Sequence, residues 1–368
     1  MRILLIRLRL IGDVVFTTPI IRALRRRHPG AHLAYVAEPA AAPIVADNPH
    51  LDEVIVARAP GAAGRALADL SLARQLRRGR FDLAIDLHGG PRAATLALLS
   101  GARRRIGYAI PGRSWLYTDR VPRPRQLRAR HSVENQWDLL GPLGVAPPDR
   151  ERDATEMPVS PAAAATAAAK LDAAGLADRG GLVVIHVSAG NPFRRWPAEA
   201  FAALAEGLVA RDPRTRVLLL SGPSEYEAAR AIGARARAAT GVSAARIVDQ
   251  VELDLRELRA VLEDAALFVG GDSGPLHVAG TSRVPVVGLY GPTLPARSAP
   301  WRPARYVTES VEVALPCRPC DQRRCEPGDF RCLGRVTPAA VLAAAERALA
   351  AGGAQRTAKE GTWPLKPA

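Results

Sequence analysis

Leu267-Phe268-Val269-Gly270-Gly271-Asp272-Ser273-Gly274-Pro275-Leu276-His277-Val278-Ala279-Gly280 reads as a buried strand that runs through glycines into the amino terminus of a helix. A short apolar run, a turn in which the backbone can approach a ligand and a proline at an early helical position specify one step of an α/β sheet. At such a step the amides of Ser273 to Leu276 are expected to face an anion at the positive helix end, with no metal needed. Asp272 is expected to accept ligand hydroxyls. His277, one turn into the helix, is expected to donate to a phosphate or hydroxyl, although a lone histidine of this kind is more often a hydrogen-bonded core group.

The same alternation extends outward in both directions. Leu182–Val187, Val217–Ser221, Ala245–Val248 and Val286–Tyr290 are further strand candidates, separated by alanine- and arginine-rich amphipathic segments. An earlier series comprises Arg2–Ile6, His32–Val36, Glu53–Val56 and Leu83–Leu87, with a helix from about Gly12 to Arg27 ended by His28-Pro29-Gly30. Two successive sets imply two α/β domains with parallel sheets. Pro142, Pro147, Pro148, Pro158 and Pro161 place the boundary between Gly141 and Gly180, which divides the chain into 1–160 and 161–350. Arg120–Arg130 reads as an exposed loop, and 351–368 as a flexible tail.

Two other strand ends carry chemistry. Asp13, in Ile11-Gly12-Asp13-Val14-Val15, follows the first strand, where a carboxylate can take a proton from a hydroxyl or cap a helix. In Val184-Ile185-His186-Val187-Ser188-Ala189-Gly190-Asn191-Pro192-Phe193-Arg194-Arg195-Trp196-Pro197, small polar residues and two arginines suit a diphosphate: Ser188 and the amides near Gly190 donate, and an arginine neutralises a leaving phosphate. The bland alternative is a surface loop with solvated arginines and a packed tryptophan. Gly291-Pro292-Thr293 adds a further strand-end turn. No loop has the glycine pattern of a dinucleotide fingerprint or a P-loop, and no Asp-x-Asp pair ends a strand, so the site is expected to need neither cofactor nor metal.

Charge is unevenly placed. Of the formal +15, residues 1–150 hold 24 arginines against 12 acidic residues, a net +12. That half favours an anionic partner or membrane surface, with attraction that weakens as salt rises. Nucleic acid is not the expected partner, because aromatic residues make up only 5% of the chain and are not interleaved with the basic ones. The first thirteen residues are broken by Arg7, Arg9 and Asp13, unlike a secretory signal, and no run of about 18 uncharged apolar residues occurs. A cytoplasmic protein is expected.

Taken together, Asp13 in its segment, Arg194-Arg195-Trp196-Pro197 and Asp272-Ser273-Gly274-Pro275-Leu276-His277 followed by Gly291-Pro292-Thr293 resemble glycosyltransferase family 9, the lipopolysaccharide heptosyltransferases. The resemblance spans roughly residues 1–345. It implies a GT-B architecture, in which two Rossmann-like domains face a cleft, the first binding acceptor and the second nucleotide sugar. It further implies inverting, metal-independent transfer of heptose from ADP-L-glycero-D-manno-heptose to the lipopolysaccharide inner core at the inner membrane. Asp13 would be the base. Arg194 stands where the family usually has a lysine on the donor phosphates, so it joins the catalytic set and the donor set. With it in the donor set stand Ser188, Gly190, Asp272, Ser273, Gly274, Pro275, Leu276, His277, Gly291, Pro292 and Thr293. Arg9, Gly12, Arg103, Arg104 and Arg105 are candidate acceptor contacts. Transfer of another nucleotide-activated sugar to a different envelope glycan, and a non-catalytic glycan-binding scaffold, are the alternatives.

Cys317, Cys320, Cys325 and Cys332 form a C-x2-C-x4-C-x6-C pattern. Four thiolates could close a tetrahedral metal site; free structural thiols and a disulfide are the other readings.

Overall fold

Ile3, Leu4, Leu5 and Ile6 are wholly buried because their strand lies at the centre of a parallel sheet. The computed structural model describes residues 1–58, 62–124 and 129–357. Among these the chain divides into two units, Met1–Pro158 and Val159 onward.

The first unit contains β1 (Arg2–Ile6), β2 (His32–Ala37), β3 (Glu53–Val56), β4 (Leu83–Asp86), β5 (Arg104–Ala109) and β6 (Asp119–Pro122). Their order is β3-β2-β1-β4-β5-β6. All are parallel, with Ile3 opposite both Leu33 and Leu83. The winding reverses between β1 and β4, and in such sheets the ligand crevice lies beyond the carboxyl ends at that reversal. The expected helix from Gly12 to Arg27 is two helices, Ile11–Val15 and Thr18–Arg27. Pro19 cannot donate to the Val15 carbonyl, which instead accepts from Thr18 Oγ1 at 2.8 Å. The segment before Pro158 is pinned to the second of these helices: Arg22 pairs with the fully buried Glu156 at 3.0 Å, and Glu156 N donates to Thr18 Oγ1 at 2.9 Å.

The second unit repeats the plan with β7 (Leu182–His186), β8 (Arg216–Leu220), β9 (Ile247–Val248), β10 (Leu267–Gly271), β11 (Val286–Tyr290) and β12 (Thr308–Glu312). Its order is β12-β11-β10-β7-β8-β9, again parallel, and the reversal lies between β7 and β10. Its core gathers Val183, Ile185, Phe201, Leu204, Val217 and Val269, with Trp196 packed edge-on against Phe201.

Two expectations need correction. Arg120, Val121 and Pro122 belong to β6, because an edge strand pairs on one side only and tolerates proline and charge; within the expected loop, 125–128 lie outside the described residues. Residues 351–357 continue the helix Pro338–Thr357, whose alanines Ala344, Ala345 and Ala348 bury one face. The rest of the expected tail, 358–368, lies outside the described residues. No helix among those described is long and apolar enough to cross a membrane.

Candidate functional site

Asp13 stands just beyond β1, at the winding reversal of the first unit. It does not cap its helix, since Leu10 occupies the cap position. Instead its carboxylate pairs with Arg7, whose Nη1 is anchored on the Leu87 carbonyl at 2.6 Å. The carboxylate stays 31% exposed, enough to meet a ligand. Gly12 is buried in the helix, and Arg9 is exposed.

The neighbouring loop after β4 was not anticipated. Asp86 is fully buried and accepts from His88 N and Gly89 N, each at 2.8 Å, and from Tyr117 Oη at 2.6 Å. Burial pushes its carboxyl up, and those three bonds oppose the shift. The loop so held brings up His88, which burial and the charges of Arg7 and Arg9 depress to about 4, so the imidazole is neutral. His88-Gly89-Gly90-Pro91 directly after a strand was the available signal.

Arg103, Arg104 and Arg105 do not join Asp13. Arg104 is in register with Leu83, and Leu83 with Ile3, which places it three residues, roughly 10 Å, before the carboxyl edge. Its guanidinium grips Asp119 at 2.8 Å and the Pro142 carbonyl at 2.8 Å. Arg105 donates to the Leu116 and Ala102 carbonyls, each at 2.8 Å. Arg103 is exposed on the turn entering β5. Arg104 and Arg105 thus brace the amino edge of the sheet, and Arg103 stands exposed beside them. Arg113 and Arg123, which follow β5 and β6, lie on the carboxyl side.

In the second unit three loops meet around the reversal. Ser188 follows β7, and its buried Oγ accepts from Gly222 N at 2.8 Å, which commits it to the fold. Gly190 is exposed. Asn191 Oδ1 accepts from Phe193 N at 3.0 Å and closes the turn that presents Arg194. Arg194 Nη1 donates to the Asp272 carbonyl at 2.9 Å and lies 3.5 Å from Oδ2 of that residue. Gly271 permits the approach: a Cβ there would stand 3.0 Å from the Arg194 carbonyl.

Asp272 itself is 2% exposed. Thr293 Oγ1 donates to its Oδ2 at 2.5 Å, and His277 Nε2 lies 3.3 Å from its Oδ1. Burial would raise this carboxyl, but His277, Arg194 and Thr293 outweigh it and bring the value to about 2. Asp272 and His277 are both buried, and the Asp272 carboxylate is engaged by His277 and Thr293. The expected row of amides is also reduced. Pro275 has no N–H, and Leu276 N already donates to the Ser273 carbonyl at 3.1 Å, which leaves Ser273 and Gly274. The Leu276 side chain is in the core, and Gly291 and Pro292 are buried.

A cavity of about 330 Å³ opens at the carboxyl ends of β8 and β9, lined by Leu219, Ser221, Gly222, Tyr226, Asp249, Val251 and Leu253. The charged Lys170, Glu252, Asp254 and Glu257 line it too, so apolar and polar groups together face a space large enough for a planar heterocycle. Gly222 joins it to Ser188. Ser221-Gly222-Pro223 after a strand could have identified it from sequence.

The four cysteines are unpaired in this structure. They line one small cavity with Phe193 and Phe330. Among the described residues no three His, Cys, Asp or Glu side chains are grouped to hold a metal ion.

His186, at the end of β7, is fully enclosed, and burial brings it down to about 4 against a backbone hydrogen bond at Ser188 that raises it. The unfolded chain, with histidine near 6.5, binds the extra proton between those values, so this contribution is complete above pH 6.5 and lost as pH falls toward 4. Urea unfolding at pH 6.5 and 5.0 is expected to show a stability loss about 2 kcal/mol smaller in His186→Asn than in the parent chain. Equal losses in both would contradict this assignment.

Glycosyltransferase family 9 (heptosyltransferase) matches residues 70–329 as a family model. Lipopolysaccharide heptosyltransferase 3 of Escherichia coli is 29% identical over 79% of this chain and 83% of its own length. A family 9 glycosyl transferase from Veillonella parvula superposes with a TM-score of 0.78 at 24% identity, covering 95% of this chain and 97% of that one. The ADP-heptose lipopolysaccharide heptosyltransferase II of E. coli superposes at 0.73 with 22% identity, covering 95% and 99%.

Proposed function

Because this chain belongs to glycosyltransferase family 9, we propose that it transfers heptose from ADP-L-glycero-D-manno-heptose to the lipopolysaccharide inner core, with inversion and without a metal. It is a glycosyltransferase with the GT-B fold and has lipopolysaccharide heptosyltransferase relatives. The observation that carries the finer reading is the Arg194 network at the reversal of the second sheet. A fixed guanidinium lies beside the amides of Ser273 and Gly274, next to loops leading to a cavity of nucleobase size. A diphosphate leaving an oxocarbenium-like anomeric carbon needs this type of stabilisation. Asp13 takes the proton from the acceptor hydroxyl as that oxygen attacks the face opposite the diphosphate, which inverts the centre. Arg9, Arg113 and Arg123 contact the anionic acceptor, and the basic first unit rests on the cytoplasmic face of the inner membrane.

The test is a transfer assay with ADP-heptose, UDP-sugars and GDP-sugars, the core acceptor being held in anionic vesicles. ADP-heptose is expected to be preferred at least tenfold, with vesicle binding that weakens between 50 and 300 mM salt, roughly the range where the Debye length shortens past 10 Å. Preference for a UDP- or GDP-sugar would replace the donor assignment. Donor binding without any transfer would favour the scaffold reading, and salt-independent activity would remove the membrane contact.

A further inference from the structure

We propose that Gln322, in the cysteine-rich loop, is the positioning residue that aims Arg194 at the donor diphosphate; this rests on the reading of Arg194 given above. The Gln322 side-chain carbonyl accepts from Arg194 Nε at 2.7 Å and from Asn191 Nδ2 at 2.9 Å. With Nη1 on the Asp272 carbonyl, the guanidinium is gripped on two sides and its rotation is fixed. Lysine at this position would have no Nε–H to be gripped and would act as a point charge; arginine has a planar fork that must be oriented to be useful. The grip answers that requirement.

The loop bearing Gln322 is braced against the same site. Arg318 donates to the carbonyls of Gly291 and Thr293 and pairs with Glu312 at 2.6 Å. Cys320 N donates to the Pro292 carbonyl at 3.1 Å, and the Phe193 and Phe330 rings meet edge to face at 5.2 Å. Gln322 itself holds a φ of +60°, a left-handed backbone that costs a non-glycine residue stability. A residue kept there against that cost, with its amide on two groups of the donor turn, points to a role for the side chain rather than the backbone.

Those facts separate positioning from mere structure. Gln322→Gly relieves the backbone and removes the amide, so its melting temperature is expected to equal or exceed that of the parent. Its affinity for ADP, by calorimetric titration, and its kcat/KM for the sugar donor are expected to fall about tenfold, the worth of one charge-assisted hydrogen bond. In an Arg194→Lys background the same change is expected to alter ADP affinity less than twofold, because no Nε–H remains to lose. Equal losses in both backgrounds, or none in the parent, would overturn the positioning role while leaving Arg194 in place. Arg194→Ala with unchanged ADP affinity would overturn the underlying reading and this proposal with it.

Discussion

Asp13→Ala is expected to lower sugar transfer at least 10²-fold while ADP affinity stays within about twofold of the parent. The carboxylate is the acidic group at the carboxyl side of β1, and no helix-capping duty competes for it. Every residue assigned to the nucleotide lies in the stretch from Val159 onward, so removing Asp13 affects proton transfer and not donor capture. Alanine leaves Arg7 without its partner, although Arg7 keeps its bond to the Leu87 carbonyl. Asp13→Asn is the control, because it preserves shape and can still contact the loop but cannot take a proton. Both variants should fold as the parent and both should be inactive. Steady-state transfer together with ADP titration decides the matter, and substantial turnover by either variant removes Asp13 from the mechanism.

Arg194→Ala is expected to cost about 10²–10³ in kcat/KM, divided between a higher donor KM and a lower kcat. Charge accumulates on the diphosphate as the glycosidic bond breaks, so a cation held at that point stabilises the transition state more than the bound donor. The vacated space leaves Asp272 without the guanidinium that helps hold its carboxyl low, though His277 and Thr293 remain. Arg194→Lys restores charge without the fork and is expected to fall between parent and alanine variant. A purely KM effect in the alanine variant would mean that Arg194 only captures donor. An unchanged kcat/KM would exclude it from the site.

Much of the plan was legible because buried parallel strands leave continuous apolar runs. β1 and β11 hold such runs, and the expected bounds of these two and of the half-exposed edge strand β3 match those observed. β5, β6 and β12 were missed for the converse reason: Arg104 and Arg105 open β5, and the edge strands β6 and β12 carry Asp119, Arg120, Glu309 and Glu312 on half-exposed faces. Asp13 and Arg194 were marked by their place after apolar strands. Gln322 was not, since it acts across 128 residues from a loop whose obvious signal was cysteine.

By itself the sequence determined two parallel α/β repeats, marked the strand ends proposed above to carry the chemistry and resembled a transferase family, because strands are written in local periodicity and the likeness in short motifs. Only the tertiary structure decided which of those polar groups look outward. Arg104 and Arg105 turned out to brace the amino edge, Asp272 and His277 to be enclosed, and Gln322 to reach the turn that carries Arg194. The reason is that register and burial are set by pairing between distant segments, and a charged group is free for a ligand only after the fold has satisfied its own carbonyls and carboxylates.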